Sequence, residues 1–269
     1  MGPRPCVSIT TIVRLERWVC FLVAERGRLP LREIANARAT RGRIVRYSRS
    51  VEEVRTTMSY FGEFDLTDRA REDLPSGWED ARKVTSILVD AITPKDHYTA
   101  DHALQVARLA WLVGTELGLN EEELEGLVHG ALLHDLGKIG VADAILEKLG
   151  PLTDEEWKVV KRHPEVGARM IEPLEPLSGA IPVIRHHHER PDGSGYPDGL
   201  EGEEIPLGAR IVAVVDAYDV MVRRPYRPER YGSLRSPAEA LKELRDEAGR
   251  QFDVRVVEAM GRLLGDPKR

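Results

Sequence analysis

The chain has 269 residues, enough for one large domain or for an ordinary domain with a smaller appendage, and its hydrophobic (42%) and charged (31%) shares exclude a disordered chain. Cys6 and Cys20 are its only cysteines, which excludes a disulfide framework or a cysteine zinc knuckle in the main body and points to a reducing cytoplasm. The net charge of −6 is unevenly spread: the first fifty residues hold eleven Arg against three Glu, so the remainder is acidic and would need bound cations to attract an anion.

Near the start, the longest apolar run is Trp18 to Ala24, far short of the roughly 20 residues that a bilayer crossing requires. Arg14, Glu16 and Arg17 interrupt the apolar core of any secretory signal, and Cys6 stands where a myristoylation signal wants Ser or Thr. Membrane insertion, secretion and lipid anchoring are therefore not expected. Residues 1–75 read as a small, Arg-rich, weakly periodic N-terminal region that runs into a polar, linker-like stretch from Asp65 to Gly77. Leu31 to Tyr47 has a faint helix-turn-helix pattern with Arg available for phosphates, but a small helical packing or regulatory segment explains it equally well. Nucleic-acid binding is not expected of this region.

Residues 76–269 read as a second, larger domain, and from Trp78 the pattern is helical almost throughout. His102, Val106, Leu109, Val113 and Leu117 recur at steps of four, three, four and four, so His102 shares the inward face of a helix. That helix should stop near Gly118-Leu119-Asn120, and a second should run from Glu121 to Leu136 and be ended by Gly137. Further helices are expected from Thr153, where Thr-Asp-Glu-Glu resembles a capping box, from Pro164, from Pro176, from Leu207 to Val222, from Ser236, and from Asp253 onward. No segment alternates like a strand. The fold class is all-α, with one conspicuous loop from Glu189 to Glu204.

Seven of the eight histidines lie between His102 and His188, and Asp135 follows His134 directly. One inward-facing histidine is more often a structural residue than a ligand. Here His102, His134-Asp135, His163 and the run His186-His187-His188 would each need a separate structural reason. Imidazole and carboxylate without thiolate suit iron, manganese or zinc. A carboxylate has two oxygens, so Asp135 can serve two ions about 3.5–4 Å apart, the spacing used for in-line displacement at phosphorus. Asp216 is the acid that interrupts the apolar helix Ile211 to Val215, and an unpaired buried carboxylate is costly enough to demand a partner or a metal. Asp219, one turn on, is the rival ligand or an orienting neighbour.

His134-Asp135-Leu136-Gly137-Lys138 resembles the His-Asp-x-Gly-Lys core of the HD superfamily, and His187-His188-Glu189-Arg190-Pro191-Asp192-Gly193-Ser194-Gly195-Tyr196-Pro197 matches the HHExxDGxGYP stretch of its HD-GYP subfamily. The likeness extends from Asp96-His97-Tyr98-Thr99-Ala100-Asp101-His102 to Asp216-Ala217-Tyr218-Asp219 and Arg224-Pro225-Tyr226-Arg227, over roughly residues 80 to 262. It implies an HD-type helical bundle with a short Gly-Tyr-Pro loop and metal-dependent cleavage of cyclic di-GMP to pGpG or GMP. It further implies two divalent ions, iron or manganese. His102, His134, Asp135 and Asp216 would hold one, and Asp135 would reach a second completed by His163, His187 and His188.

By the same resemblance, Asp135 and Lys138 are the catalytic pair, with Lys138 facing a substrate phosphate, and Tyr196, Arg224 and Arg227 bind substrate. The segment before Arg-Pro-Tyr is one residue shorter here than is usual in the family, which affects the register of Arg224. Expected partners are cyclic di-GMP, GGDEF-type or other signalling proteins, and a second copy of the chain. The alternatives are hydrolysis of another cyclic dinucleotide or nucleotide, or a cyclic di-GMP receptor with little catalysis. Some members of the family hold a third ion with a carboxylate one turn before the first histidine ligand. Tyr98 stands at that place here, with His97, Asp101 and Asp96 on other faces, so two ions and not three are expected.

Overall fold

The computed structural model describes residues 78–92, 99–223 and 234–265. The N-terminal region with its helix-turn-helix-like stretch and linker lies outside them, as do Asp96, His97, Tyr98, Arg224 and Arg227. The described residues are helical, and they contain only two isolated β-bridges, Asp192 with Glu201 and Ala248 with Phe252.

Helix α1 spans Trp78–Ile92 and α2 spans Thr99–Leu117. The predicted stripe on α2 is buried as expected: His102 and Leu109 are each 5% exposed and Val106 and Val113 are fully enclosed. Gly118 ends α2 at φ 84°, a left-handed conformation that only glycine adopts cheaply, and this lets Leu119 N–H bond back to the Gly114 carbonyl. Asn120 then caps α3 (Glu121–Leu133), its side chain and that of Glu123 satisfying each other's backbone N–H groups.

Helix α3 stops at Leu133, three residues before the expected Leu136, and the chain continues as a 3₁₀ turn over Leu136–Gly140. Gly137 therefore serves a different purpose from a helix stop. A Cβ there would lie 1.9 Å from the His163 carbonyl oxygen, so the glycine lets this turn touch the next helices backbone to backbone.

A short α4 (Asp143–Leu146) leads to α5 (Asp154–Val160), capped by Thr153 and Glu156 as the sequence suggests. Helix α6 is His163–Ile171, starting one residue before Pro164. The helix expected from Pro176 begins as a 3₁₀ turn (Glu175–Ala180) and becomes α7 only at Ile181–His186. After the Glu189–Glu204 loop come α8 (Leu207–Arg223), α9 (Pro237–Asp246, capped by Ser236 and Glu239) and α10 (Val254–Leu263, capped by Asp253).

Helix α8 is apolar nearly all round, with Ile211, Val212, Val214 and Val215 wholly enclosed, and such a helix belongs in the middle of a bundle. It packs against α2, α3, α7, α9 and α10. Each of those side chains contributes about 1.5–3 kcal/mol by leaving water. The largest cluster of enclosed side chains gathers α2, α3, α8, α9 and α10. It runs from Val106 to the end of α2 and along most of α8.

Candidate active site

Three of the expected ligands are placed by one local device. His134 follows the last turn of α3, His163 follows α5, and His187 follows α7. In each the Nδ1–H donates to the carbonyl three residues earlier: Ala131 at 2.7 Å, Val160 at 2.8 Å and Ile184 at 2.7 Å. Those carbonyls belong to helix ends, where no further backbone N–H is available to them. A carbonyl can only accept, so the proton is on Nδ1 and the Nε2 lone pair faces outward from the helix end. His102, in the first turn of α2, is held differently, with Nδ1 2.8 Å from Asp219 Oδ2 and Nε2 3.0 Å from Asp216 Oδ1.

The helices bring these side chains into two groups. In one, ligand atoms of His163, His187 and His188 lie within 4.8 Å of one another, and in the other the same holds for His102, His134 and Asp135. Asp216 adjoins the second group through His102. Asp135 stands between them, Oδ1 3.4 Å from His163 Nε2 and Oδ2 3.5 Å from His134 Nε2. Lys138, from the 3₁₀ turn, reaches the same Oδ2 at 2.5 Å. The rings form a continuous series from His102 through His134, His187 and His188 to Tyr196, with neighbouring centroids between 4.1 and 5.4 Å apart.

The electrostatics divide the same way. Burial lowers the pKa of His163 and His188 to about 3 and holds His187 well below its usual value, so all three are neutral. Burial also works against a charge on His102, but hydrogen bonds to Asp216 and Asp219 outweigh it and raise the pKa to about 9. Asp135 and Asp216 are pushed upward by burial and downward more strongly by Lys138 and by His102 respectively, so both stay ionised. Neutral imidazole nitrogens whose own N–H groups are committed elsewhere, beside ionised carboxylates, suit divalent cations of hard or borderline character. The donor set fits a divalent metal centre.

The loop after α7 closes one side. Tyr196 stacks beside His188, with centroids 4.9 Å apart, and its N–H donates to the His188 carbonyl at 3.2 Å. Burial, then the charges of Asp135 and Asp216, keep its phenol protonated. Several contributors here had no assigned role in the sequence reading. Glu189 is 3% exposed and accepts three backbone hydrogen bonds from Asp198, Gly199 and Leu200. Asp198 accepts a two-point bond from Arg185 and another from His186. Lys161 Nζ lies 5.3 Å from the centre of the Tyr196 ring. The motif contains Glu189, but nothing in it names the amides it serves. Asp198 and Lys161 carry no signal at all.

The HD domain family model matches residues 86–256. Among curated relatives, the cyclic di-GMP phosphodiesterase response regulator RpfG of Xanthomonas campestris is 43% identical over 186 residues, which is 68% of this chain and 48% of that protein. A cyclic di-GMP phosphodiesterase of Thermotoga maritima is 37% identical over 204 residues, covering 74% of this chain and 54% of the relative. The 3'3'-cGAMP-specific phosphodiesterase 3 of Vibrio cholerae is 39% identical over 141 residues, or 52% of this chain and 30% of the relative. The chain thus spans about half the length, or less, of these relatives. With the family model covering most of the described residues and the His187 to Pro197 stretch folded around the histidine cluster, the chain belongs to the HD domain family and to its HD-GYP branch.

Proposed function

We propose that this chain is a metal-dependent phosphodiesterase that hydrolyses cyclic di-GMP to pGpG or GMP. The observation that carries the reading is Asp135, whose two oxygens face two separate groups of imidazoles. Of the first three relatives, two are named as cyclic di-GMP phosphodiesterases. Residues 76–269 would form the phosphohydrolase domain and residues 1–75 a separate region. With Cys6 and Cys20 as the only cysteines, the cytoplasm is the expected place of action, with signalling proteins as partners and a homodimer as the expected assembly.

His102, His134, Asp135 and Asp216 would hold one divalent ion, and Asp135, His163, His187 and His188 a second, with iron or manganese as the metals. Such ions supply Lewis acidity at a phosphoryl oxygen and make a water molecule acidic enough to attack phosphorus. The protein does the rest by placement. Asp219 fixes the His102 ring through Nδ1, which aims Nε2 inward. Lys138, drawn toward Asp135, carries a positive charge to the place where charge grows on the phosphoryl oxygens. The Tyr196 phenol, protonated at neutral pH, can donate to a phosphate or a base edge. Arg224 and Arg227 would grip the ligand with their planar forks.

Incubation of iron- or manganese-loaded protein with cyclic di-GMP, followed by ion-exchange chromatography, should yield pGpG or GMP. Tight binding without product would instead indicate a receptor. Because one relative is named as specific for 3'3'-cGAMP, the same assay with that dinucleotide decides the alternative substrate.

A further inference from the structure

We infer that Glu189 is a positioning residue for substrate: its carboxylate holds the neck of the Gly-Tyr-Pro loop closed and thereby fixes Tyr196 against the histidine cluster. This rests on the phosphodiesterase reading above. The contacts are specific. Oε1 accepts from Asp198 N at 2.7 Å and from Gly199 N at 3.1 Å, and Oε2 accepts from Leu200 N at 3.2 Å. Three successive amides converge on one carboxylate, and such groups of N–H donors are suited to a negative charge.

The rest of the loop is folded onto the same residue. A Cβ at Gly195 would lie 2.4 Å from Arg190 N and 2.5 Å from Glu189 Cα, so the returning chain passes directly against the Glu189 backbone. Tyr196 is the next residue, tied to His188 by ring contact and by its N–H. On the outer side, Arg185 and His186 hold Asp198 by its side chain while Glu189 holds it by its backbone. Residues before and after Tyr196 are thereby fixed to the segment that carries His187 and His188.

Glu189→Gln tests this with almost no change of shape. A carboxylate only accepts, whereas a carboxamide has one oxygen and an NH₂ that must oppose at least one of the three N–H donors. Leaving buried donors unsatisfied should loosen the loop, and the KM for cyclic di-GMP should rise about tenfold or more. Its kcat should change much less, metal content should match wild type, and the loss on bis(p-nitrophenyl) phosphate, too small to need the loop, should be smaller by about tenfold. Hydrogen exchange followed by mass spectrometry should show the amides of residues 198–200 protected in wild type and exposed in the variant, with the helices unaltered. Unchanged KM, or equal losses on both substrates together with lost metal, would overturn the inference. So would fast exchange of those amides in the wild type, a measurement that does not depend on the variant folding. If wild type fails to turn over cyclic di-GMP, the functional reading fails; the positioning role is then upheld by loss of protection in the metal-retaining variant and overturned by its persistence.

Discussion

His102 and His163 are buried to nearly the same degree, 5% and 2% exposed, yet their surroundings are opposite. The first lies between two carboxylates on α8 and the second among two imidazoles, with Asp135 and the opposing charge of Lys138 nearby. One half of the cluster is consequently charged and ionic, and the other is neutral and nitrogen-rich. Burial alone pushes imidazole toward its neutral form, and only the α8 carboxylates reverse that. Divalent ions held in the two halves would meet unlike surroundings, the carboxylate-rich half suiting a harder cation and the imidazole-rich half a softer one.

The strongest way to break this comparison is Asp135→Ala, which removes the one group both halves use. Hydrolysis should fall by about 10³-fold or more, and metal content should drop at both sites. Elemental analysis and product chromatography check it, and full metal with wild-type turnover would sink the assignment. Next, Asp216→Asn and His187→Ala strike the two halves separately. Wild type should hold about two ions per chain and each variant about one, with activity down by about 10²-fold or more. Loss of both ions from either variant would show that the halves do not bind independently.

Lys138→Ala removes a charge between the halves but no ligand, so turnover should fall by about 10²-fold while metal analysis stays near wild type. Unchanged kinetics would leave Lys138 as a partner of Asp135 and nothing more. Asp219→Asn weakens the orientation of His102, and the expected cost is about 10–100-fold in metal affinity or activity. The smallest consequence for catalysis comes from His129, which supplies the control: an imidazole buried on α3 and bonded to Thr85. Its pKa falls from 6.5 to about 4, first through burial and then through the Arg82 charge. Between those values the unfolded chain binds more protons than the folded one, so stability declines as pH is lowered. That contribution amounts to roughly 2 kcal/mol between pH 7 and pH 5, and His129→Gln should remove this part of the pH dependence in urea unfolding. A variant with the wild-type slope would show that burial does not govern this histidine.

Much of the site was legible because metal-binding chemistry admits few residue types, and His102, His134, Asp135, His163, His187, His188 and Asp216 are brought together as their spacing and motif suggested. The choice of Asp216 over Asp219 was open to spacing alone, since both follow α8 toward the same ring; the structure gives them opposite nitrogens of His102. Glu189 was hidden for a different reason. Its partners are backbone amides nine to eleven residues away, and an amide looks the same in every sequence. Gly137 was visible as a glycine, but the letter does not say whether it marks a helix end or a close approach, and the His163 carbonyl decides for the latter.

The bonds from His134, His163 and His187 to carbonyls three residues earlier also matter for anyone wishing to build such a centre elsewhere. Each ring is tied through Nδ1 to its own stretch of chain. A designer could graft that short unit, a helix terminus followed by one imidazole, onto an unrelated helical scaffold. The remaining task would be to bring the termini to a common point.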